Sequence, residues 1–164
     1  MSANKDQPHV MVLPEDDANR QLAVGFYLQI ELNRQRRMQI LRPVRGWTKV
    51  MEQFVSTHAR EMRDCPLRLM VLLLDFDSDI ERLERLQAEV PADLTERVFI
   101  IGALTEPEDL KRAGLGSYDD IGAKMAKDCR EDTDTIWGHE LLQHNATEID
   151  RLRQHVRPIL FPSN

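Results

Sequence analysis

Cysteine is scarce in this chain: Cys65 and Cys129 are the only two among 164 residues, and no Cys-x-x-Cys pair occurs. That excludes a scaffold built on disulfides and makes a reducing, cytoplasmic setting the expectation. No apolar run approaches membrane-spanning length and no secretory hydrophobic segment is found, so a soluble chain without a membrane partner is expected. Positive charge is also in deficit, with 22 Lys and Arg against 28 Asp and Glu and a net charge of -6. General coating of nucleic acid by excess basic charge is thereby excluded, and any such contact has to come from a local patch. Internal repeats and low-complexity tracts are missing too. What is present, 41% hydrophobic and 30% charged residues, suits one globular domain with a real core. Residues 1–8 are polar and read as a loose tail.

Short apolar runs alternate with helical patterns along the chain. His9–Leu13, Met38–Leu41, Leu67–Leu74 and Val98–Leu104 read as strands buried on both faces. Between them, helices are expected over residues 17–36, with Leu22, Phe26, Ile30 and Leu32 inward, and over 46–62, with Trp47, Val50, Met51, Phe54 and Val55 inward. A third spans 80–90, capped by Ser78 or Asp79. Further helices are expected over 106–113, 119–129 and 137–157. Strand and helix in turn imply right-handed crossovers and a mostly parallel sheet.

The chemistry gathers at the strand ends. Leu69–Leu74 runs directly into Asp75-Phe76-Asp77-Ser78-Asp79. Alternation by two sends Asp75 and Asp77 the same way while the chain stays extended, and two such carboxylates repel unless a cation or proton is shared between them. Glu15-Asp16-Asp17 follows the first strand, and Glu106, Glu108 and Asp109 follow the fourth. In a parallel sheet all these ends lie at one edge, where open α/β sheets place ligands. Glu15, Asp75, Asp77, Asp79, Glu106 and Glu108 are thus candidate ligands for Mg²⁺ or Mn²⁺, metals that favour carboxylates plus water and phosphate oxygens. The plainer alternative, acids capping helix N-termini, applies most to Asp17 and Asp79.

A strand ending in Glu (Val10–Glu15) and a later apolar strand ending in Asp-x-Asp (Leu72–Asp77) together resemble the TOPRIM domain of topoisomerases, primases and nucleases of the overcoming-lysogenization-defect type. The resemblance implies a three-layer α/β, TOPRIM- or Rossmann-like fold with a mostly parallel four-stranded sheet over residues 9–116. Residues 117–164 then form a helical C-terminal extension packed on the same domain. It also implies Glu15 as general acid, general base or metal ligand, Asp75 and Asp77 as Mg²⁺ ligands, and phosphodiester chemistry on nucleic acid. Such stand-alone proteins resemble nuclease partners of ATPases, and this chain has no Walker loop of its own; a homodimer is a further expectation. Asp16 stands where that family usually has glycine, and no glycine follows the Asp-x-Asp.

A second resemblance, to response-regulator receiver domains, makes Asp75 a phosphoacceptor, with Glu15-Asp16-Asp17 similar to the acidic pair after the first strand, Thr105 as the switch threonine and Lys124 as the closing lysine. It lacks the Met-Pro-x-x-Asp-Gly loop and implies a signalling or partner-binding module without nuclease chemistry.

Arg34, Arg36, Arg37, Arg42, Arg45 and Lys49 occur without an intervening acid. Arg42, Arg45 and Lys49 are the candidate phosphate contacts because they follow the second strand's carboxyl end, with Trp47 available for stacking or for the core. Near the C-terminus, His139 and His144 are five apart, so they do not share a helix face as the four-apart zinc motif requires.

Overall fold

The computed structural model describes residues 2–163. The apolar runs form β1 (His9–Pro14), β2 (Met38–Ile40), β3 (Arg68–Leu73) and β4 (Val98–Ile101). All neighbours pair in parallel, in the order β2-β1-β3-β4. The fold is the expected three-layer α/β class. Its helices are α1 (Asp17–Tyr27), α2 (Trp47–Gln53), α3 (Ala59–Asp64), α4 (Glu81–Glu89), α5 (Pro107–Arg112), α6 (Tyr118–Glu131), α7 (Ala146–His155) and α8 (Arg157–Leu160).

Period-two alternation divides the core. Val10, Val12, Val71, Leu73, Phe99 and Ile101 pack against α1, α6 and α7. Met11, Leu13, Met70, Leu72, Leu74, Val98 and Ile100 pack against α2, α3 and α4. The C-terminal residues are part of the first layer: Ile121, Met125, Ile149, Leu152 and Leu160 are buried in it. Helix α6 sits backbone to backbone on α1, because a Cβ on Gly122 would lie 2.1 Å from the Leu22 carbonyl and one on Gly25 2.3 Å from that of Asp119.

Three helical expectations change. The segment 17–36 is not one helix: α1 stops at Tyr27, and Leu32–Arg37 is a separate 3₁₀ turn. Ile30 is buried, but Leu32 is 85% exposed, since the break ends the helical phase. The segment 46–62 contains a π-turn at Phe54–His58. The extra residue per turn moves Val55 out of the apolar face to 47% exposure while Phe54 stays buried. Residues 137–142 run through turns and Gln143–Asn145 form a 3₁₀ helix, so the last long helix begins only at Ala146.

The open edge of β4 is sealed by side chains rather than by a fifth strand. Asn145 takes the Gly102 N–H at 3.2 Å and donates to the Gly102 carbonyl at 2.9 Å. One helical turn on, the buried Glu148 accepts the Ile100 N–H at 2.9 Å, and Arg151 donates to the Val98 carbonyl at 3.2 Å. Spacing by three puts all of them on one helix face, which supplies donors and acceptors as a neighbouring strand would. Replacing Asn145 by Ala leaves both Gly102 groups unpaired in a buried place. It is expected to lower the unfolding free energy by about 2 kcal/mol, read by urea titration, with faster exchange of the Gly102 amide.

Candidate functional site

The strand order reverses between β1 and β3, because the chain moves outward to β2 and then returns past β1. Such a reversal leaves a crevice at the carboxyl ends of the two strands. Glu15 leaves β1 here, with its N–H still bonded to the Leu73 carbonyl at 2.8 Å. Its Oε2 accepts the Asp75 N–H at 2.7 Å, tying the two strand ends together. Burial pushes the Glu15 carboxyl above its ordinary value; the Asp75 N–H opposes this, and Asp16 and Asp77 add to it.

Asp75 continues the face of Val71 and Leu73, toward α1, and is 7% exposed. Asn19 of α1 donates to its Oδ1 at 2.9 Å and to Asp16 Oδ1 at 3.0 Å. Burial is the main reason the Asp75 carboxyl is pushed up to about 8; Asn19 opposes it, while the charges of Glu15, Asp16 and Asp77 reinforce it. Near neutrality this carboxyl therefore holds a proton.

Asp77 does not share that environment. Main-chain bonds to the β4 strand continue past β3, from Phe76 N–H to Ala103 at 3.1 Å and from Ser78 N–H to Leu104 at 2.7 Å. The extended run nevertheless ends at Asp77, where φ turns to 48°, followed by 64° at Ser78. These left-handed positions are borne by non-glycine residues, and such strain collects at functional turns. Asp77 consequently projects with its side chain 55% exposed and meets Arg82 Nη1 at 2.8 Å.

Arg82, in the first turn of α4, is only 8% exposed. The same Nη1 donates to the Asp75 carbonyl at 2.9 Å, and the guanidinium lies 4.2 Å from the centre of the Trp47 ring. Its Nε is buried without a partner, as is the Oδ1 of Asn19. Neither Asn19 nor Arg82 stands out by motif. The available signal is phase: Asn19 falls three residues before the buried Leu22, and Arg82 four before the buried Leu86, so each polar side chain lies on a core-facing stripe.

The remaining sequence candidates are dispersed. Asp79 pairs with Arg85 at 2.5 Å, and Glu106 lies 3.5 Å from Arg112. Glu108 faces Tyr118, whose hydroxyl is raised by burial first and then by that carboxylate. The cap of α1 is Asp16, accepting the Asn19 N–H at 2.9 Å, whereas Asp17 lies inside the first turn and pairs with Arg20. Arg42, Arg45 and Lys49 are exposed and form no ion pair among the described residues. Arg45 N–H donates to the Glu15 carbonyl at 2.7 Å, so this basic loop borders the acidic crevice. Arg34 instead holds the Ile159 carbonyl at 3.1 Å and Arg37 the Pro8 carbonyl at 3.3 Å.

The donor set suits a hard divalent cation in its chemistry: carboxylate oxygens, with an amide oxygen beside them. Its arrangement is not that of a closed cation cage, and no three His, Cys, Asp or Glu among the described residues converge on a common metal position. Glu15 is engaged by the Asp75 N–H and Asp77 by Arg82. Of the receiver-type residues, Lys124 donates to the Leu115 carbonyl at 2.6 Å, and Thr105 Oγ1 is buried without a partner. Both cysteines are free, and burial raises the Cys129 thiol to about 11, as for an inert core residue. No described helix is long and apolar enough to cross a membrane. Comparison with family models, curated proteins and solved structures gives no match.

Proposed function

We propose that the crevice between β1 and β3 is a divalent-cation-dependent site for phosphodiester processing of nucleic acid, with Asp75 and Asp77 as Mg²⁺ or Mn²⁺ ligands and Glu15 as third ligand or general base. The observation that carries this reading is the gathering of Glu15, Asp16, Asp75 and Asp77 around one strand reversal, where burial chiefly, reinforced by the neighbouring carboxylates, pushes the Asp75 carboxyl up to about 8. A bound cation supplies the positive charge that this crowding lacks and polarises a phosphodiester. The chain's own residues do the rest. Asn19 orients Asp75, the Glu15–Asp75 hydrogen bond fixes the spacing of the two strand ends, and Arg42, Arg45 and Lys49 give a polyanion a place to lie beside the crevice. The resemblance of Val10–Glu15 and Leu72–Asp77 to TOPRIM domains supports the same chemistry. Nucleic acid as partner, an ATPase acting in trans, a homodimer and a cytoplasmic setting belong to this reading.

One observation favours a second reading, a non-catalytic partner-binding module: Arg82 already neutralises Asp77 without any cation. Nicking of supercoiled plasmid in Mn²⁺ separates the two. The native chain is expected to nick, Asp77→Asn to lose at least about a hundredfold, and Arg45→Ala/Lys49→Ala to bind DNA more weakly with a salt slope lower by about 1–2. Cleavage undiminished in Asp77→Asn overturns the enzymatic reading.

A further inference from the structure

The two edges of the sheet are finished differently. Asn145, Glu148 and Arg151 close β4, whereas β2 has no side chain in that role among the described residues. The Leu41 N–H bonds to the Val12 carbonyl at 2.8 Å, so alternation turns Gln39 and Leu41 toward β1 and Met38 and Ile40 away from it. The Met38 N–H is taken by the Gln35 carbonyl. That leaves the Met38 carbonyl and both main-chain groups of Ile40 facing outward, without a partner among the described residues. They open into a groove of about 480 Å³, lined by the strand, by Val24, Tyr27 and Leu28 at the end of α1, and by Ser2. Leu28 is 59% exposed, and among the described residues only Leu32, in the turn leading into β2, is a more exposed large apolar side chain. Solvent-facing edge strands are ordinarily blunted by charge or proline within the strand, and Met38-Gln39-Ile40 has neither. Charge stands at its two ends instead. Arg36 and Arg42 are exposed and pair with no acid among the described residues, in a chain whose net charge is -6.

We propose that the free edge of β2 is a docking site for an extended acidic segment of another protein, which joins the sheet as a fifth strand. Its main chain bonds to Met38 and Ile40, its apolar side chains lie on Val24, Tyr27 and Leu28, and its acids meet Arg36 and Arg42. The main-chain bonds hold the segment, and the arginines choose its sequence. The same charges decide against a second copy of this chain. Antiparallel self-pairing about Gln39 would set Arg36 opposite the second copy's Arg42, and like charges directly opposite destabilise a strand pair. An acidic segment meets opposite charge at both ends. The arginines are six positions apart, a span of about 20 Å in an extended chain, which sets the spacing of the acids that fit. Arg42 also borders the basic loop beside the crevice, so a polyanion is the competing occupant.

The probe is a fluorescein-labelled peptide of about nine residues, with glutamates six positions apart and alternating valine and threonine between them. Added to the full chain, it is expected to bind with a dissociation constant of roughly 1–100 μM by fluorescence anisotropy. At saturation it should slow hydrogen exchange of the Ile40 and Arg42 amides at least about tenfold, which side-chain contact alone does not do. The same peptide with lysines in place of the glutamates is expected to bind about tenfold more weakly, and Arg36→Glu/Arg42→Glu to reverse that order. Should the double variant fail to fold, the two peptides on the native chain still decide. Failure of the glutamate peptide to bind, equal binding of the two peptides, or binding that leaves both amides unprotected overturns the proposal. Self-association of the native chain that protects these amides, followed by sedimentation equilibrium without peptide, assigns the edge to a second copy. Protection of the same amides by a single-stranded oligonucleotide assigns it to nucleic acid, and either result overturns the proposal as well.

Discussion

An Asp75→Asn chain is expected to be more stable than the native one, by a margin that widens as pH rises. The folded-state carboxyl titrates at about 8 against an ordinary 3.8, chiefly because it is buried. Between those values the unfolded chain has released the proton and the folded chain keeps it. The contribution of Asp75 is therefore fully present below pH 4, declines as pH rises through 8, and is flat beyond. Asparagine has no such dependence and keeps an oxygen for the Asn19 amide. The two chains should be nearly equal at pH 4 and differ by about 3 kcal/mol at pH 9, allowing for relaxation around an ionised Asp75. Urea titrations at pH 4, 6, 7.5 and 9 read this directly, and a gap that stays constant with pH contradicts it. If the crevice takes Mg²⁺ as proposed, the order should invert in its presence, because the native chain would exchange the Asp75 proton for the cation and the variant has no carboxylate to offer. Proton release on Mg²⁺ binding, measured in weakly buffered solution, should be lost in Asp75→Asn.

The second large effect lies far from the crevice. Asp128 of α6 is fully buried. It collects the hydroxyls of Thr133 (2.6 Å) and Thr135, and the N–H groups of Thr135 (3.2 Å), Ile136 (2.7 Å) and Trp137 (3.2 Å). Burial by itself would raise this carboxyl; the donors outweigh it and hold it below the usual carboxylate range. The turn that it closes begins at Asp132, in a left-handed conformation with φ 57°, and delivers Ile136 and Trp137 into the core. Asp128→Ala strands several buried donors and frees that turn, and is expected to cost about 4 kcal/mol. Asp128→Asn, which keeps one acceptor, should cost roughly half. Thermal unfolding followed by circular dichroism checks the order, and an alanine variant as stable as the asparagine one refutes the network's role. With a lowered pKa, Asp128 adds stability above the ordinary carboxylate range that fades as pH falls. His9, His58 and His144, all lowered chiefly by burial, add theirs above pH 6.5 and lose it on acidification. Acid destabilisation should trace to these groups, and the decline as pH rises from about 4 to about 8 to Asp75, with Glu15, also raised, contributing in the same direction from its ordinary value upward.

The acidic crevice was half legible. Asp75 and Glu15 could be placed at one sheet edge because apolar strand runs end at them, and parallel pairing brings such ends together. That Asp77 separates from Asp75 was not legible, because alternation by two holds only while the backbone stays extended and φ 48° ends it. Asp79, Glu106 and Glu108 look equivalent to Glu15 in the sequence. In space Asp79 and Glu106 each meet an arginine six residues on and Glu108 faces Tyr118 at the start of α6, since a half-buried carboxylate takes the nearest partner its fold offers. Asn19 and Arg82 went the other way: polar residues on apolar stripes, inconspicuous until the stripe is seen to end at the crevice.

The sequence by itself determined the strands, their burial on both faces and the alternation that makes the sheet parallel, because those follow from short-range periodicity and from where apolar runs stop. Tertiary structure decided the rest. It set the strand order β2-β1-β3-β4 that opens a crevice between Glu15 and Asp75, the π-turn that turned Val55 outward, and the α7 side chains standing in for a fifth strand. It also set the pairing of Arg82 with Asp77 and Trp47. Each depends on which groups meet across long stretches of chain and on how much water is left between them. Periodicity carries no information on either, and both fix whether a carboxyl is a ligand, an ion-pair partner or a proton carrier.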